Sequence, residues 1–214
     1  HKQILTVQYR MRRNIGNLIS QVFYEGKIAT EVDDKNRMHP IKKFAGKSII
    51  WVDTSMMDKK DESRLKGGSY CNYAENNLIK KLLENFKREG VLSQLDIGII
   101  TGYRGQKDLI RKSVNNSGYD RIAKRIDINT LDAFQGREND VIIYSTVRTK
   151  NSIGFQKEKE RVNVAFSRAK NLLIICGDMD FFYRFDDPDN KFIEIIDYIC
   201  EHEDECLIIP GGEI

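Results

Sequence analysis

The sequence has little of what membrane-spanning, zinc-binding or disulfide-bonded proteins need. No apolar stretch approaches the roughly 20 residues that span a bilayer, which excludes a membrane-spanning helix. The four cysteines, Cys71, Cys176, Cys200 and Cys206, form no Cys-x-x-Cys pair, and only three histidines could assist them. A metal site is therefore not expected, and the thiols suit a reducing, cytoplasmic environment.

Net charge is small, at +3 over 214 residues, but it is unevenly placed. From Asp178 to Glu205 the chain holds eleven acidic side chains against Arg184 and Lys191, a net of −9. The rest of the chain therefore carries about +12 (3 plus 9). We expect a single domain with a basic body and an acidic, helical extension over residues 178–214. A solvated surface of mixed charge would give the same pattern.

Short apolar runs alternate with amphipathic stretches along the chain. Several runs are apolar at successive positions and rich in Ile and Val, which is typical of strands buried on both faces of a parallel sheet. The intervening stretches carry apolar residues at helical spacing, most clearly Leu78, Leu82 and Phe86. The alternation predicts a doubly wound α/β domain. Its predicted strands are 4–7, 48–52, 96–101, 126–130, 141–146 and 172–176, and its predicted helices are 14–23, 74–88, 106–114, 157–168 and 191–201.

The most informative segment is Leu131–Asp140, a polar turn between two predicted strands. Ligands of such sheets gather at the carboxyl ends of the strands, so a turn of this kind is a candidate site. Gly136 permits a tight turn and close approach of the backbone to a ligand. Gln135 can donate and accept hydrogen bonds, and Glu138 can accept them from hydroxyl groups. By itself the segment is equally consistent with an ordinary polar turn.

Two further segments present arginines. In Glu160–Lys170, helical spacing places Arg161 and Arg168 on one side of a helix. In Leu5–Met11, a predicted strand runs into Arg10. Arginine is suited to bidentate capture of phosphate. Each segment alone is more often a surface helix with basic residues or a strand capped by an arginine.

Together, the order and spacing of these segments resemble superfamily 1 helicases, in particular the branch that includes the nonsense-mediated-decay helicase, senataxin and the immunoglobulin mu-binding helicase. Val7–Met11 is similar to the V-Q-Y-R-M that opens the second RecA-like domain of that family. Leu131–Glu138 resembles its motif V, Arg161–Lys170 its motif VI, and Thr101–Gln106 its T-P-Y-x-x-Q segment. The resemblance implies a RecA-like fold of the P-loop NTPase type, a parallel sheet flanked by helices on both faces.

The resemblance also assigns roles to individual residues. It places Arg10 and Arg168 on the γ-phosphate of ATP, where the charge on the transferring phosphoryl group must be stabilised. It places Glu138 on the ribose. The residues expected to face the nucleotide are Gln135, Gly136, Glu138 and Arg161.

A single strand of DNA or RNA is the second ligand that the resemblance implies. Thr101 and Gln106, from the T-P-Y-x-x-Q-like segment, and Thr130, from its position at a strand end, are expected to hold phosphates without reading the base sequence. The family branch implies 5′-to-3′ movement. Gly102 stands where the family usually has proline, which predicts a less rigid loop. Tyr73 stands where it often has arginine, which removes a phosphate contact.

Two parts of a complete motor are missing from this sequence. It has no G-x-x-x-x-G-K-(S/T) loop to hold ATP and no D-E-x-x carboxylate pair for Mg²⁺. The chain begins with His1, and we expect it to be part of a longer polypeptide whose first RecA-like domain holds both ligands. The isolated chain is then expected to lack ATPase activity. The alternative is a non-catalytic nucleic-acid-binding or protein-docking module with a helicase fold. A fused nuclease would have to lie outside this segment.

Overall fold

The fold is built on a parallel sheet, seen in a computed structural model that describes residues 6–134 and 136–214. The strands of the described residues are, in chain order, Val7–Gln8 (β1), Ala29–Thr30 (β2), Ile49–Asp53 (β3), Ser63–Arg64 (β4), Tyr70–Cys71 (β5), Asp96–Thr101 (β6), Arg125–Thr130 (β7), Asn139–Ser145 (β8), Ala169–Gly177 (β9) and Cys206–Pro210 (β10). Six of them form the central sheet in the order β10-β3-β9-β8-β6-β7, and every neighbouring pair is parallel.

Helices connect the strands and cover both faces of the sheet. They are Arg13–Tyr24 (α1), Tyr73–Arg88 (α2), Arg104–Asn116 (α3), Tyr119–Ile122 (α4), Lys159–Phe166 (α5), Met179–Arg184 (α6) and Phe192–Glu201 (α7). Buried residues of α1, α5, α6 and α7 belong to one hydrophobic cluster, and those of α2 and α3 belong to another. The doubly wound α/β architecture is therefore confirmed.

The central strands are apolar at successive positions because each contributes to two cores. In β3, Ile49 and Trp51 pack into the cluster that contains α1, whereas Ile50 and Val52 pack into the cluster that contains α2. Side chains alternate between the faces of a strand, so an uninterrupted apolar run fills both layers. All four residues are fully buried.

The predicted strand 4–7 lies partly outside the described residues, and Val7–Gln8 pairs with β2 in a separate two-stranded sheet. The other predicted elements are close to the observed ones, with one correction at the C-terminal end. The strand Asp96–Thr101 has the predicted limits, and the predicted helix 157–168 is shorter because Gly154–Lys157 forms a separate 3-10 turn. The extension over 178–214 is not purely helical. Its last apolar run, Cys206–Pro210, forms β10 and pairs with β3 at the edge of the central sheet. The acidic segment is thus integrated into the domain.

Candidate active site at the amino-terminal edge of the sheet

The neighbouring strands β8 and β9 begin side by side, so the residues that precede them lie close together. The register pairs Asn139 of β8 with Ala169 of β9, and Asn139 N donates to Arg168 O at 3.1 Å. Glu138 and Arg168 immediately precede these strands and therefore lie at the amino-terminal edge of the sheet. The expectation of a site at the carboxyl ends is wrong for these two residues, because each precedes its strand.

Arg10 reaches the same edge from a distant part of the chain. Arg12 N donates to Lys170 O at 2.7 Å, which joins the segment after β1 to the start of β9. Arg10 Nε lies 2.6 Å from Glu138 Oε2, and Arg10 Nη1 donates to Ser167 O at 3.3 Å. The two arginine segments that were predicted to act together therefore meet.

The turn that presents Arg10 is held by Gln8, to which the sequence analysis gives no role. Gln8 Oε1 accepts hydrogen bonds from the backbone N–H groups of Arg10 at 2.9 Å and Met11 at 2.8 Å. Its Nε2 donates to Thr30 Oγ1 at 2.7 Å. Gly16 of α1 leaves room for this pair, since a Cβ there would lie 2.1 Å from Thr30 Oγ1. The amide in V-Q-Y-R-M was the available signal, because such a group can satisfy several backbone groups at once.

Arg10 and Arg168 carry more positive charge than Glu138, the carboxylate beside them, compensates. Burial lowers the pKa of the Arg168 guanidinium, the nearby charge of Arg10 lowers it further, and Glu138 opposes both. Arg168 Nε is buried and has no hydrogen-bond partner among the described residues. Glu138 is engaged by Arg10, and 39% of the Arg10 side chain remains exposed. Two guanidinium groups thus face one carboxylate, an arrangement that favours an additional anion such as phosphate.

Arg10 borders open space. A cavity of 530 Å³ is lined by Gln8, Tyr9, Arg10 and Ser167 on its polar side and by side chains such as Ile19 on its apolar side. The Tyr9 ring above it is 63% exposed. The ion pair of Arg10 is therefore accessible from solvent, and a ligand can approach it.

The segment that resembles motif V reaches this edge at its end. Gln135 lies outside the described residues. Gly136 has a φ of +86°, and no atom lies within 4 Å of the position of a Cβ, so the backbone is both left-handed and open to approach. Glu138 contacts Arg10 here, and its role at the ribose stays a prediction.

Arg161 does not join this cluster, which corrects the expectation that it faces the nucleotide together with Glu138. Its Nε lies 2.9 Å from Glu158 Oε2 and 3.6 Å from Asp132 Oδ1. Asp132 follows the carboxyl end of β7, so Arg161 lies towards the opposite edge of the sheet. The reason is that α5 runs from the carboxyl edge to the amino edge, with Arg161 near its start and Arg168 beyond its end.

Two residues predicted to contact a nucleic acid are fully buried, which corrects that prediction for their side chains. Thr101 and Gln106 have no exposed surface. Gln106 Oε1 accepts from Asn72 N at 2.8 Å, and its Nε2 donates to Ser145 Oγ at 2.9 Å. The buried side chains of both residues therefore support the carboxyl edge of the sheet from the protein interior. Thr130 ends β7 at that edge and is partly exposed, so its contact stays a prediction.

A comparison with known protein families identifies the family of this chain. A family profile described as AAA domain matches residues 1–180, which include both Arg10 and Arg168. The chain belongs to this family. The matched region contains the whole amino-terminal edge cluster and the sheet without β10.

Relatives of this AAA domain include named helicases. The DNA polymerase alpha-associated DNA helicase A of Saccharomyces cerevisiae is 32% identical over 215 residues, covering 93% of this chain and 30% of the yeast protein. The regulator of nonsense transcripts 1 homolog of Neurospora crassa is 35% identical over 183 residues, covering 81% and 16% respectively. Helicase SEN1 of Saccharomyces cerevisiae is 33% identical over 185 residues, covering 81% and 8%. These relatives confirm the resemblance to the superfamily 1 branch, and the chain spans less than a third of each.

Among solved structures, the C-terminal domain of a possible DNA helicase from Lactobacillus plantarum WCFS1 superposes with a TM-score of 0.46 and 15% identity. The superposition covers 80% of this chain and 88% of that one. A similarity of this size is too low to carry an argument.

A buried carboxyl group organises the carboxyl edge of the AAA domain. Glu75, near the start of α2, accepts hydrogen bonds from Thr146 Oγ1 at 3.1 Å and from Val147 N at 2.8 Å, and it contacts Ser145 Oγ at 2.5 Å. Burial raises its pKa to about 8, against the opposing effect of these hydrogen bonds. Sequence analysis missed it because an acidic residue in the first turn of a helix is usually exposed.

The described residues contain neither a candidate metal site nor a helix that could span a membrane. No group of three or more His, Cys, Asp and Glu side chains in the described ranges is arranged to hold a metal ion. No helix of that part of the chain is long and apolar enough to cross a membrane. The four cysteines are free, and Cys71, Cys176 and Cys206 are buried.

Proposed function

We propose that this chain is the second RecA-like domain of an ATP-dependent nucleic-acid helicase, in which it supplies arginines to ATP bound by a first RecA-like domain. The observation that carries the proposal is the convergence of Arg10 and Arg168 on one accessible edge with a single carboxylate, Glu138, between them. A purely structural edge would neutralise both cations. Here the excess charge suits the γ-phosphate of a nucleotide from outside the domain.

In this proposal, each residue of the edge has a distinct task. Arg168 points a permanently charged, under-satisfied guanidinium at the phosphoryl group, and Arg10 adds a second cation. Gln8 fixes the turn that carries Arg10, so the cation does not have to be ordered when the ligand arrives. Glu138 holds Arg10 in the absence of an anion, and it is available to a ribose hydroxyl once a phosphate engages Arg10.

ATP, when bound, supplies the phosphoanhydride bond whose hydrolysis drives the cycle. Mg²⁺ is proposed to be held mainly by the first domain, because the described residues of this chain offer no suitable cluster of ligands. Phosphate contacts from Arg10 and Arg168 exist only when the two domains are closed, so the nucleotide favours closure and hydrolysis releases it. The names of the relatives, a DNA helicase and a regulator of nonsense transcripts, support a nucleic acid as substrate. From the family resemblance we further propose a single strand of DNA or RNA, 5′-to-3′ movement and a cytoplasmic location.

The decisive experiment is the substitution Arg168→Ala in the full polypeptide, measured as nucleic-acid-stimulated ATP hydrolysis. We expect turnover to fall by about 10³-fold or more, as for other arginines that act on a transferring phosphoryl group. Arg184→Ala is the matched control, because Arg184 is 77% exposed and, among the described residues, forms its ion pair with Asp180 on the acidic segment.

The same assay separates the competing interpretation. A non-catalytic docking module predicts no ATP turnover in the full polypeptide and no effect of Arg168→Ala. Near-normal turnover by a folded Arg168→Ala variant, with an unchanged circular dichroism melting curve, would refute the arginine assignment. The isolated 214-residue chain is expected to hydrolyse no ATP, because it has no phosphate-binding loop.

A further inference from the structure

An exposed phenylalanine stands at the carboxyl edge of the sheet, opposite the arginine edge. Phe155 is 44% exposed, although large aromatic side chains are usually buried. A single exposed aromatic residue is common on protein surfaces and requires no function. The surroundings of Phe155 distinguish it from that ordinary case.

Phe155 is the outer end of a row of three aromatic rings, Tyr70, Tyr103 and Phe155, which we call the aromatic row. The ring centres of Tyr70 and Tyr103 are 5.6 Å apart, and those of Tyr103 and Phe155 are 5.3 Å apart. Tyr103 is almost completely buried, so it forms a rigid support under the exposed ring.

Cations stand at both ends of the aromatic row. The guanidinium carbon of Arg148 lies 4.3 Å from the Tyr70 ring centre, and that of Arg161 lies 5.3 Å from the Phe155 ring centre. Both distances are within the range of cation–π attraction. The row is therefore fixed at its inner end by Arg148, and the guanidinium of Arg161, which is paired with Asp132 and Glu158, lies beside its outer end.

The backbone turn that displays Phe155 depends on a glycine. Gly154 has a φ of +63°, and a Cβ there would lie 2.0 Å from Tyr103 Oη. Only a residue without a side chain can pass over the Tyr103 ring in this way. The position of Phe155 on the support is therefore imposed by the local chain.

Exposed cations adjoin the aromatic row, and one of them, Arg104, belongs to the Thr101–Gln106 segment for which the resemblance implies a nucleic-acid contact. Phe155 Cβ lies 3.5 Å from the position of a Cβ on Gly102, directly before α3. The Leu65 side chain packs against Gly105 in the first turn of α3. The neighbouring cations Arg64, Lys66 and Arg104 are exposed and form no ion pair among the described residues. The single guanidinium of Arg161 is shared between Asp132 and Glu158, so the positive charge available to a ligand here comes from Arg64, Lys66 and Arg104.

We propose that Phe155 stacks against an unpaired base of a single-stranded nucleic acid, with Arg64, Lys66 and Arg104 placed to attract its phosphates. The proposal rests on the helicase function proposed above. Stacking on an aromatic face is independent of base sequence, and it combines with phosphate attraction in many proteins that follow a single strand. It also gives Arg161 a task at this edge, as a cation beside the stacked base.

The test compares two oligonucleotides of equal length, an oligothymidylate and an abasic strand that has the same phosphates without bases. Fluorescence anisotropy measures their binding to the full polypeptide without nucleotide. Phe155→Leu keeps an apolar side chain but removes the aromatic face. We expect it to weaken oligothymidylate binding by about 5-fold or more and to leave abasic binding unchanged. Tyr183→Leu is the control, because Tyr183 is 49% exposed on the acidic segment.

A second variant makes the stacking directly visible. Trp51, the one tryptophan of this sequence, is fully buried, and Phe155→Trp adds an exposed indole whose signal is the difference between the variant and the wild-type full polypeptide. We expect the base-bearing strand to quench the added fluorescence and the abasic strand to leave it unchanged. Binding of oligothymidylate without quenching, or equal weakening of both strands by Phe155→Leu, would overturn the stacking assignment. Failure of the wild-type protein to bind either strand would instead refute the proposed function itself.

Discussion

Replacing Glu75 with glutamine should remove a large part of the pH dependence of stability between pH 5 and 8. The Glu75 carboxyl group is fully buried, and its pKa is raised to about 8 from an ordinary value of 4.5. In that interval the folded state keeps a proton that the unfolded state releases. The free energy of unfolding therefore falls as the pH rises.

The magnitude follows from the two pKa values. Each unit of difference corresponds to about 1.4 kcal/mol, so complete titration between 4.5 and 8 costs roughly 5 kcal/mol of stability. Between pH 5 and pH 8 about 4 kcal/mol of that loss should be observed. The stabilisation is fully present below pH 4.5 and is exhausted above pH 8. A glutamine at position 75 is permanently neutral, and its amide can donate to Ser145 Oγ as a protonated carboxyl would.

Urea denaturation followed by circular dichroism at pH 5, 6, 7 and 8 measures the effect. The difference in unfolding free energy between wild type and Glu75→Gln should change by about 4 kcal/mol over this range. His39, whose pKa is lowered by burial, destabilises both proteins equally below its ordinary value of 6.5, so the difference cancels it. Glu201→Gln, at an exposed position of α7, should follow the wild type. Parallel curves for wild type and Glu75→Gln would refute the reasoning.

Two further predictions concern the amino-terminal edge. If Glu138 accepts a hydrogen bond from the ribose 2′-hydroxyl, Glu138→Gln should raise the KM for ATP to the KM for 2′-deoxy-ATP in steady-state kinetics. A lower kcat with the preference for ATP over 2′-deoxy-ATP retained would mean that Glu138 only positions Arg10. Gly16→Ala should lower the free energy of unfolding by about 1–3 kcal/mol, because its Cβ would collide with Thr30 and Gln8. Gly67→Ala should be neutral in the same denaturation experiment, since no atom lies within 4 Å of its Cβ position, and equal stability of both alanine variants would contradict the collision.

Much of the fold follows from local pattern, because the strands of this sheet are buried on both faces. Uninterrupted apolar runs such as Leu172–Cys176 can be recognised without knowledge of their neighbours. The run Cys206–Pro210 is as apolar, but its place beside β3 depends on contacts across the whole chain. The sequence of the acidic segment before it indicates helices and says nothing of a returning strand.

The site was predictable only in part, since polar residues look alike in sequence whether they face solvent or each other. Arg10 and Arg168 were assigned through the resemblance, and the structure places them near one another. From the sequence, Gln106 of the amphipathic helix α3 could equally be exposed. In the structure its amide is buried and hydrogen-bonded to Asn72 and Ser145. The burial of such a group depends on partners that are distant in the chain.

Two connections join the proposed strand-binding edge to the arginine edge, and both are rigid. One is α5, in which Arg161 lies five residues before the end of the helix at Phe166, or about 7.5 Å along the helix axis, and Arg168 follows two residues after that end. The other is the segment after β7, where Phe134 packs against Gly98 so closely that a Cβ on that glycine would lie 2.6 Å from the ring. Because neither connection can lengthen without disturbing a buried core, we infer that a base at Phe155 and a phosphate at Arg168 keep a fixed separation throughout the cycle. Under the proposed function, the motion of translocation would then lie between this domain and the proposed first RecA-like domain.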